Sequence, residues 1–170
     1  MPIRIAHLQA AHIPALMQVE ERLYGDSLEG PLGPQLVHVC ARLFPDVSTV
    51  ALEADAVVGY HLAVIRDDLL WCVAVAVVPE RRRTRVLPGL LDAALAGAPP
   101  EVRRVRFTAA EAEAHLIAFY RGLGARVVER SEDHYGPGDH RLCMELDGAA
   151  LDALAARVGR VVGQGSARSR

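Results

Sequence analysis

Lysine is absent from this chain: all 19 basic residues are arginine. No side chain can therefore form a Schiff base with a carbonyl substrate, which excludes that route of covalent catalysis. Beside heavy use of alanine and valine, the arginine bias reads as coding composition rather than a functional choice. Cysteine is scarce. Cys40, Cys72 and Cys143 are odd in number and share no CxxC spacing, which excludes a disulfide framework and a zinc site and leaves buried free thiols. Long apolar stretches are missing too. The longest, Leu69–Val78, is ten residues, about half of a membrane-spanning helix and the right length for a buried strand. The first residues, Met1-Pro2-Ile3-Arg4-Ile5, lack the apolar core of a signal peptide, so a cytoplasmic protein with no membrane partner is expected. A formal net charge of -2 leaves no broad basic face, so no nucleic-acid partner is expected either.

What remains is an ordinary globular composition. The 170 residues are 51% hydrophobic and 24% charged, enough for one domain around one core. Residues 3–7 alternate as a strand. Ala10–Tyr24 carries Ile13, Leu16, Met17, Val19 and Leu23 at helical spacing, and a second helix, Gln35–Phe44, stops at Pro45. Thr49–Glu53, Val57–Arg66 and Leu70–Val78 are strands whose short connections predict an antiparallel meander. Then follow a helix (Val86–Gly97), a strand (Val102–Thr108), a helix (Glu111–Leu123) and two strands (Arg126–Arg130 and Leu142–Leu146). The order predicts an α/β fold: a mixed, mostly antiparallel central sheet flanked by helices on both faces. The expected organisation is one domain over residues 1–147. A C-terminal helix over 148–162 packs on it or at a homodimer interface through Leu151, Leu154 and Val158, and a flexible tail covers 163–170.

The chemistry concentrates between Val77 and Leu91. A strand stops at Pro79, a loop carries Arg81, Arg82, Arg83 and Arg85, and a leucine-faced helix begins. The first turn of a helix offers unpaired N–H groups and a positive dipole end, and arginine forks match phosphate oxygens. This loop is read as a phosphate-holding site.

These residues resemble the GNAT family of acyl-CoA-dependent N-acyltransferases, whose signature runs V-x-P-x-x-[RQ]-G-x-G-[IA]-[GA] followed by a leucine pair. Val77, Pro79, Arg82 and Leu90-Leu91 match, and Val86 stands for the isoleucine. Downstream, the run from Ile117 through Phe119, Tyr120 and Leu123 to Gly124 is similar to the family's A-I-x-L-Y-x-x-L-G-F. The chain departs from the pattern at the glycine positions, which hold Arg83, Arg85 and Leu87, and Pro88 removes one N–H from the first helical turn.

The resemblance implies acyl transfer, with acetyl-CoA as the acyl donor and no metal, to a primary amine of a small molecule or a protein. It implies that Val75, Ala76 and Val77 hold the pantetheine and that Arg82, Arg83, Thr84, Arg85, Val86, Leu87 and Gly89 lie on the pyrophosphate. Phe119 would also line the cofactor, and Tyr120 would protonate the departing thiolate. The departures leave open an alternative, a catalytically impaired GNAT-like domain that serves as a binding or regulatory module. For the base the candidates are Glu20, Glu21, His61, Glu111 and Glu113, or water, while Tyr135 and the segment Gly25–Pro45 would wall the acceptor pocket.

Overall fold

A computed structural model describes residues 2–166, with side chains through residue 163. The chain runs β1 (Ile3–His7), α1 (Ile13–Tyr24), α2 (Pro34–Leu43), β2 (Thr49–Glu53), β3 (Ala56–Arg66), β4 (Leu69–Val77) and α3 (Val86–Ala96). It continues through β5 (Arg104–Ala110), α4 (Ala114–Gly122), β6 (Arg126–Ser131), β7 (Arg141–Asp147) and α5 (Gly148–Ser166). The elements are the expected ones, with shifted ends. A single 3₁₀ turn over Ala10–His12 precedes α1, because Pro14 belongs in a first helical turn, where no N–H is needed. Helix α4 starts three residues later than the spacing predicts. The Glu111 N–H is committed to the His140 carbonyl at 2.8 Å, and the Glu113 N–H to that of Ala110 at 3.0 Å. The largest correction is at the C-terminus. Residues 163–166 continue α5 instead of joining a flexible tail. Glycine weakens a helix by about 1 kcal/mol relative to alanine but still donates its N–H, so it does not end one. Residues 167–170 of the expected tail lie outside the described residues.

All seven strands form one sheet in the order β1-β2-β3-β4-β5-β7-β6. Every pairing is antiparallel except β4 with β5, and that exception builds the site. The two parallel strands pair only at Leu69–Arg104, Leu70–Val105 and Trp71–Arg106. Beyond them β4 runs on to Val77 and β5 to Ala110 without pairing, so the sheet opens into a wedge. At the same point β4 bulges: Leu62 faces Ala74 while Ala63 faces Cys72, leaving Val73 as the extra residue. A bulge bends its strand and sharpens its twist, which turns the end of β4 away from β5.

Helix α3 packs on one face of the sheet. The Thr49 hydroxyl donates to the Leu90 carbonyl at 3.2 Å, and Gly89 and Gly59 bring the helix close to β1 and β3. Tyr60, Leu62 and Val50 point to the other face and are buried in one cluster with Leu16 of α1 and Val37 of α2. Ala109, Met144 and Leu146 are buried against Ile117 of α4 and Leu154 of α5, while Leu151 joins a third cluster with Leu70 and Val105. Leu151, Leu154 and the buried Val158 thus cap the chain's own core. Where α4 and α5 cover one face of β5 and β7, the opposite face carries ions. Glu145, 2% exposed, is bonded by Arg106 and Arg126 and approached by Arg104 at 3.6 Å. No helix among the described residues is long and apolar enough to cross a membrane.

Candidate active site

The wedge between β4 and β5 is the natural ligand position, because an unpaired strand edge leaves backbone groups to be satisfied from outside. Which groups these are follows from alternation. Val78 donates to the Val58 carbonyl at 3.0 Å, so two residues back Ala76 is turned toward Tyr60 on β3. Val75 and Val77 then turn their N–H and C=O groups into the wedge. Of the three strand residues expected to hold the pantetheine, Ala76 is thus occupied by β3. Val75 is available through both groups, and Val77 through its N–H, its carbonyl accepting from Arg82 Nε at 3.2 Å.

The arginine loop lies at the open end of β4. Pro79–Arg81 makes one 3₁₀ turn, Arg83 has a left-handed backbone (φ 61°), and α3 starts at Val86. Arg83 thus stands in the conformation that favours the glycine of the family signature. Among the described residues the N–H groups of Arg83, Thr84, Arg85 and Leu87 have no acceptor in the protein, which leaves a cradle of donors at the positive end of α3. The arginines around it differ in role. Arg81 is bound to Glu53, with Nη2 at 2.7 Å and Nε at 3.0 Å, and serves the structure. Arg82 donates Nε to the Val77 carbonyl at 3.2 Å, so its guanidinium spans the strand end and the loop. Arg83 and Arg85 are exposed and have no carboxylate partner among the described residues.

Two of the expected phosphate contacts have their N–H groups engaged within the protein, and a third keeps only its N–H. The Gly89 N–H is taken by the Arg85 carbonyl at 2.9 Å, and a Cβ at this position would stand 3.1 Å from Ile5, so Gly89 serves helix-to-strand packing. The Val86 N–H bonds the Thr84 hydroxyl at 3.3 Å, and its side chain is buried over Gly59. The Thr84 hydroxyl itself donates to the Arg81 carbonyl at 2.5 Å, which leaves only its N–H for a ligand. Leu87 is 38% exposed beside the cradle.

On the far side of the wedge, Tyr120 of α4 lies against Phe107 of β5, ring centroids 4.5 Å apart. It is half-buried, and burial first, then the proximity of Cys72, Glu113 and Tyr24, pushes its hydroxyl up to about 12. It therefore stays protonated at neutral pH and has a proton to give. Phe119, 49% exposed, flanks it at 5.6 Å on the outer side of α4. Tyr24, at the end of α1, was not anticipated. Burial raises its pKa, and so does the charge of Glu20, Glu29 and Glu113, while Arg82 opposes the rise. Its surroundings join the loop after β4 to the acid-rich end of α1. A sequence scan has no signal for this, since the meeting depends on where α1 crosses the sheet.

The base candidates separate cleanly. His61 is 2% exposed, donates Nδ1–H to the Val47 carbonyl at 3.1 Å, and is driven by burial down to about 4; it is a core histidine, not a base. Glu111 is held by Arg130 at 2.8 Å. Glu21 is exposed, whereas Glu20 is 1% exposed. Glu113 is exposed at the start of α4, without an ionic partner among the described residues. Tyr135 stacks under Arg141 at 4.8 Å, and Arg141 reaches back to Glu29 at 3.2 Å, so the β6–β7 loop and the α1–α2 loop meet over the open end.

No family model and no curated protein matches the sequence. Solved structures do match by shape. Naa50 from Arabidopsis thaliana aligns with a TM-score of 0.72 at 10% identity, over 87% of this chain and 100% of that one. Ard1 from Thermoplasma volcanium gives 0.72 at 20% identity over 86% and 98%. The ribosomal-protein-S18-alanine N-acetyltransferase of Escherichia coli gives 0.69 at 17% over 86% and 94%. By this likeness of shape the chain has the GNAT acetyltransferase fold.

Proposed function

We propose that this chain is an acetyl-CoA-dependent N-acetyltransferase. The observation that carries the reading is the wedge itself: a parallel strand pair that parts after three residues, between a donor cradle at one end and a protonated tyrosine at the other. The pyrophosphate of the donor substrate fits the N–H groups of Arg83, Thr84, Arg85 and Leu87, with the Arg82, Arg83 and Arg85 forks closing on its oxygens. The pantetheine fits as an added strand on Val75 and Val77. A structural neighbour supports this: the Arabidopsis Naa50 structure holds the bisubstrate analogue CoA-Ac-MVNAL.

The acceptor amine enters as a neutral nucleophile and attacks the thioester carbonyl carbon. A C–N bond forms and the C–S bond breaks. The thiolate takes the proton of the Tyr120 hydroxyl, the amide nitrogen loses its extra proton to water, and Tyr120 is reprotonated from solvent. With its hydroxyl raised to about 12, Tyr120 is a weaker acid than the thiol it forms, so the transfer runs uphill and is drawn forward by loss of the ammonium proton to water and release of the thiol. The free cysteines fit a reducing compartment such as the cytoplasm. The impaired-domain reading has less support, since Arg83 keeps the glycine-type backbone and the cradle amides remain unpaired.

The test is thermal stabilisation by acetyl-CoA, followed by turnover. Ligand at a hundred times its dissociation constant should stabilise by about 2.7 kcal/mol. No shift at millimolar acetyl-CoA would remove the donor site. Tyr120→Phe should then lower kcat by about 10²–10⁴ with acetyl-CoA affinity unchanged; unchanged kcat would remove Tyr120 from the chemistry.

A further inference from the structure

Two ion pairs carry the chain from one lip of the wedge to the other. On the β4 lip, Arg22 of α1 is paired with Glu80, just past the end of the strand. On the β5 lip, Glu29 is paired with Arg141 at 3.2 Å, and Arg141 opens β7 opposite Ala110, the last residue of β5. The residues between these anchors, from the end of α1 into the α1–α2 segment, therefore cross the open end.

They are built as a strap. The Ser27 N–H donates to the Tyr24 carbonyl at 2.9 Å, the Gly30 N–H to the Ser27 carbonyl at 3.1 Å, and the Leu32 N–H to Oε2 of the buried Glu20 at 2.6 Å. The far anchor is fixed as well. Both oxygens of Asp139 hold Arg141, at 2.6 and 2.9 Å, and its guanidinium lies over the Tyr135 ring, so it is already in place for Glu29. Leu28 meets the β6–β7 loop beside this pair: a Cβ at Gly136, where φ is 153°, would stand 3.2 Å from Leu28 Cδ2. An ion pair and an apolar contact thus close the same seam.

The seam bears on the size of the acceptor. With the donor cradle at the start of α3, the acceptor is left the opposite face of the wedge, that of α1, which the strap crosses. A peptide acceptor continues beyond its reacting nitrogen at about 3.3 Å per residue, so five residues run about 16 Å outward, through the Glu29–Arg141 seam. A small amine ends before reaching it. We propose that the strap limits the acceptor to a small-molecule amine, with Leu28, Glu29 and Arg141 as its specificity-determining residues. The proposal rests on the acetyltransferase reading, and its test is chosen to separate the two.

The experiment is calorimetric titration of the whole chain with CoA, with the bisubstrate analogue CoA-Ac-MVNAL, and with its counterpart in which butylamine replaces the peptide. The butylamine compound should bind at least about tenfold tighter than the peptide compound. Glu29→Gln and, separately, Leu28→Ala should each narrow that gap by about threefold or more and leave CoA affinity within twofold. Hydrogen exchange supplies a readout without ligand: the Ser27, Gly30 and Leu32 amides should be protected in the parent and exchange about threefold faster or more in Glu29→Gln. A peptide compound that binds the parent as tightly as the butylamine compound, a gap unchanged in both variants, or strap amides that exchange in the parent at the rate of an unfolded chain would overturn the proposal. Protected strap amides with no binding of CoA or either analogue would uphold the closed strap, sink the acetyltransferase reading, and with it the assignment of the strap to an acceptor.

Discussion

Arg83 shows how a long side chain can sit on a backbone conformation that glycine favours. Its φ of 61° lies in the left-handed region, where a Cβ crowds the following carbonyl. The loop tolerates this because the Arg81 and Arg82 N–H groups close the preceding turn onto Val78 and Pro79, and the Thr84 hydroxyl ties the next residue back to the Arg81 carbonyl. Arg83→Gly should therefore stabilise the chain by about 0.5–1 kcal/mol, read as a higher urea midpoint at unchanged slope. A lower midpoint would mean that the arginine side chain stabilises the fold by contacts that the backbone account leaves out.

At the scale of elements, the decisive approach is that of α3 to β1 and β3. Gly89 and Gly59 let the helix lie close: a Cβ at Gly89 would be 3.1 Å from Ile5 Cγ1, and one at Gly59 3.0 Å from both the Ala76 carbonyl and Val86. That approach sets where the N-terminus of α3 meets the end of β4, and with it the position of the cradle. Gly89→Leu should cost about 1–3 kcal/mol by overpacking against Ile5 and should weaken acetyl-CoA. Gly89→Ala should be nearly neutral, since a helix-propensity gain of about 1 kcal/mol offsets a contact that the flexible Ile5 side chain can relieve. Denaturation with and without ligand distinguishes the two. If the leucine variant were as stable as the parent, the close approach would not be what positions this helix.

For the whole molecule, the buried polar groups decide how stability responds to pH. His61 lies at the centre of the sheet, and burial lowers its pKa from 6.5 to about 4. Below pH 6.5 the unfolded chain binds a proton at this residue that the folded chain refuses, so stability falls as pH drops from 6.5 toward 4 and is fully present above 6.5. The shift corresponds to a loss on the order of 3 kcal/mol across that window. Urea melts between pH 4 and 7.5 should show the decline, and His61→Gln should flatten it by about that amount. A slope identical in the two proteins would place the acid sensitivity elsewhere.

The periodic apolar residues determined by themselves that this would be an α/β domain with a meander followed by strand–helix units. The proline-ended strand with its arginine loop determined where an anion could sit. These are local properties: side-chain spacing selects helix or strand, and Pro79 stops β4 whatever surrounds it. Tertiary structure alone decided the rest. The parting of β4 from β5 depends on a three-residue register and on a bulge at Val73 that no spacing announces. The fates of the arginines depend on partners distant in sequence, as when Glu53 binds Arg81 and leaves Arg83 and Arg85 without a carboxylate among the described residues. Glu20 and His61 were both legible as helix and strand positions, yet burial, a property of the packed whole, made one an enclosed acid bonded to the Leu32 N–H and the other a neutral core residue. In the same way, Arg82 and Tyr120 could be named from the sequence, but only the parting of β4 from β5 sets the two beside one wedge.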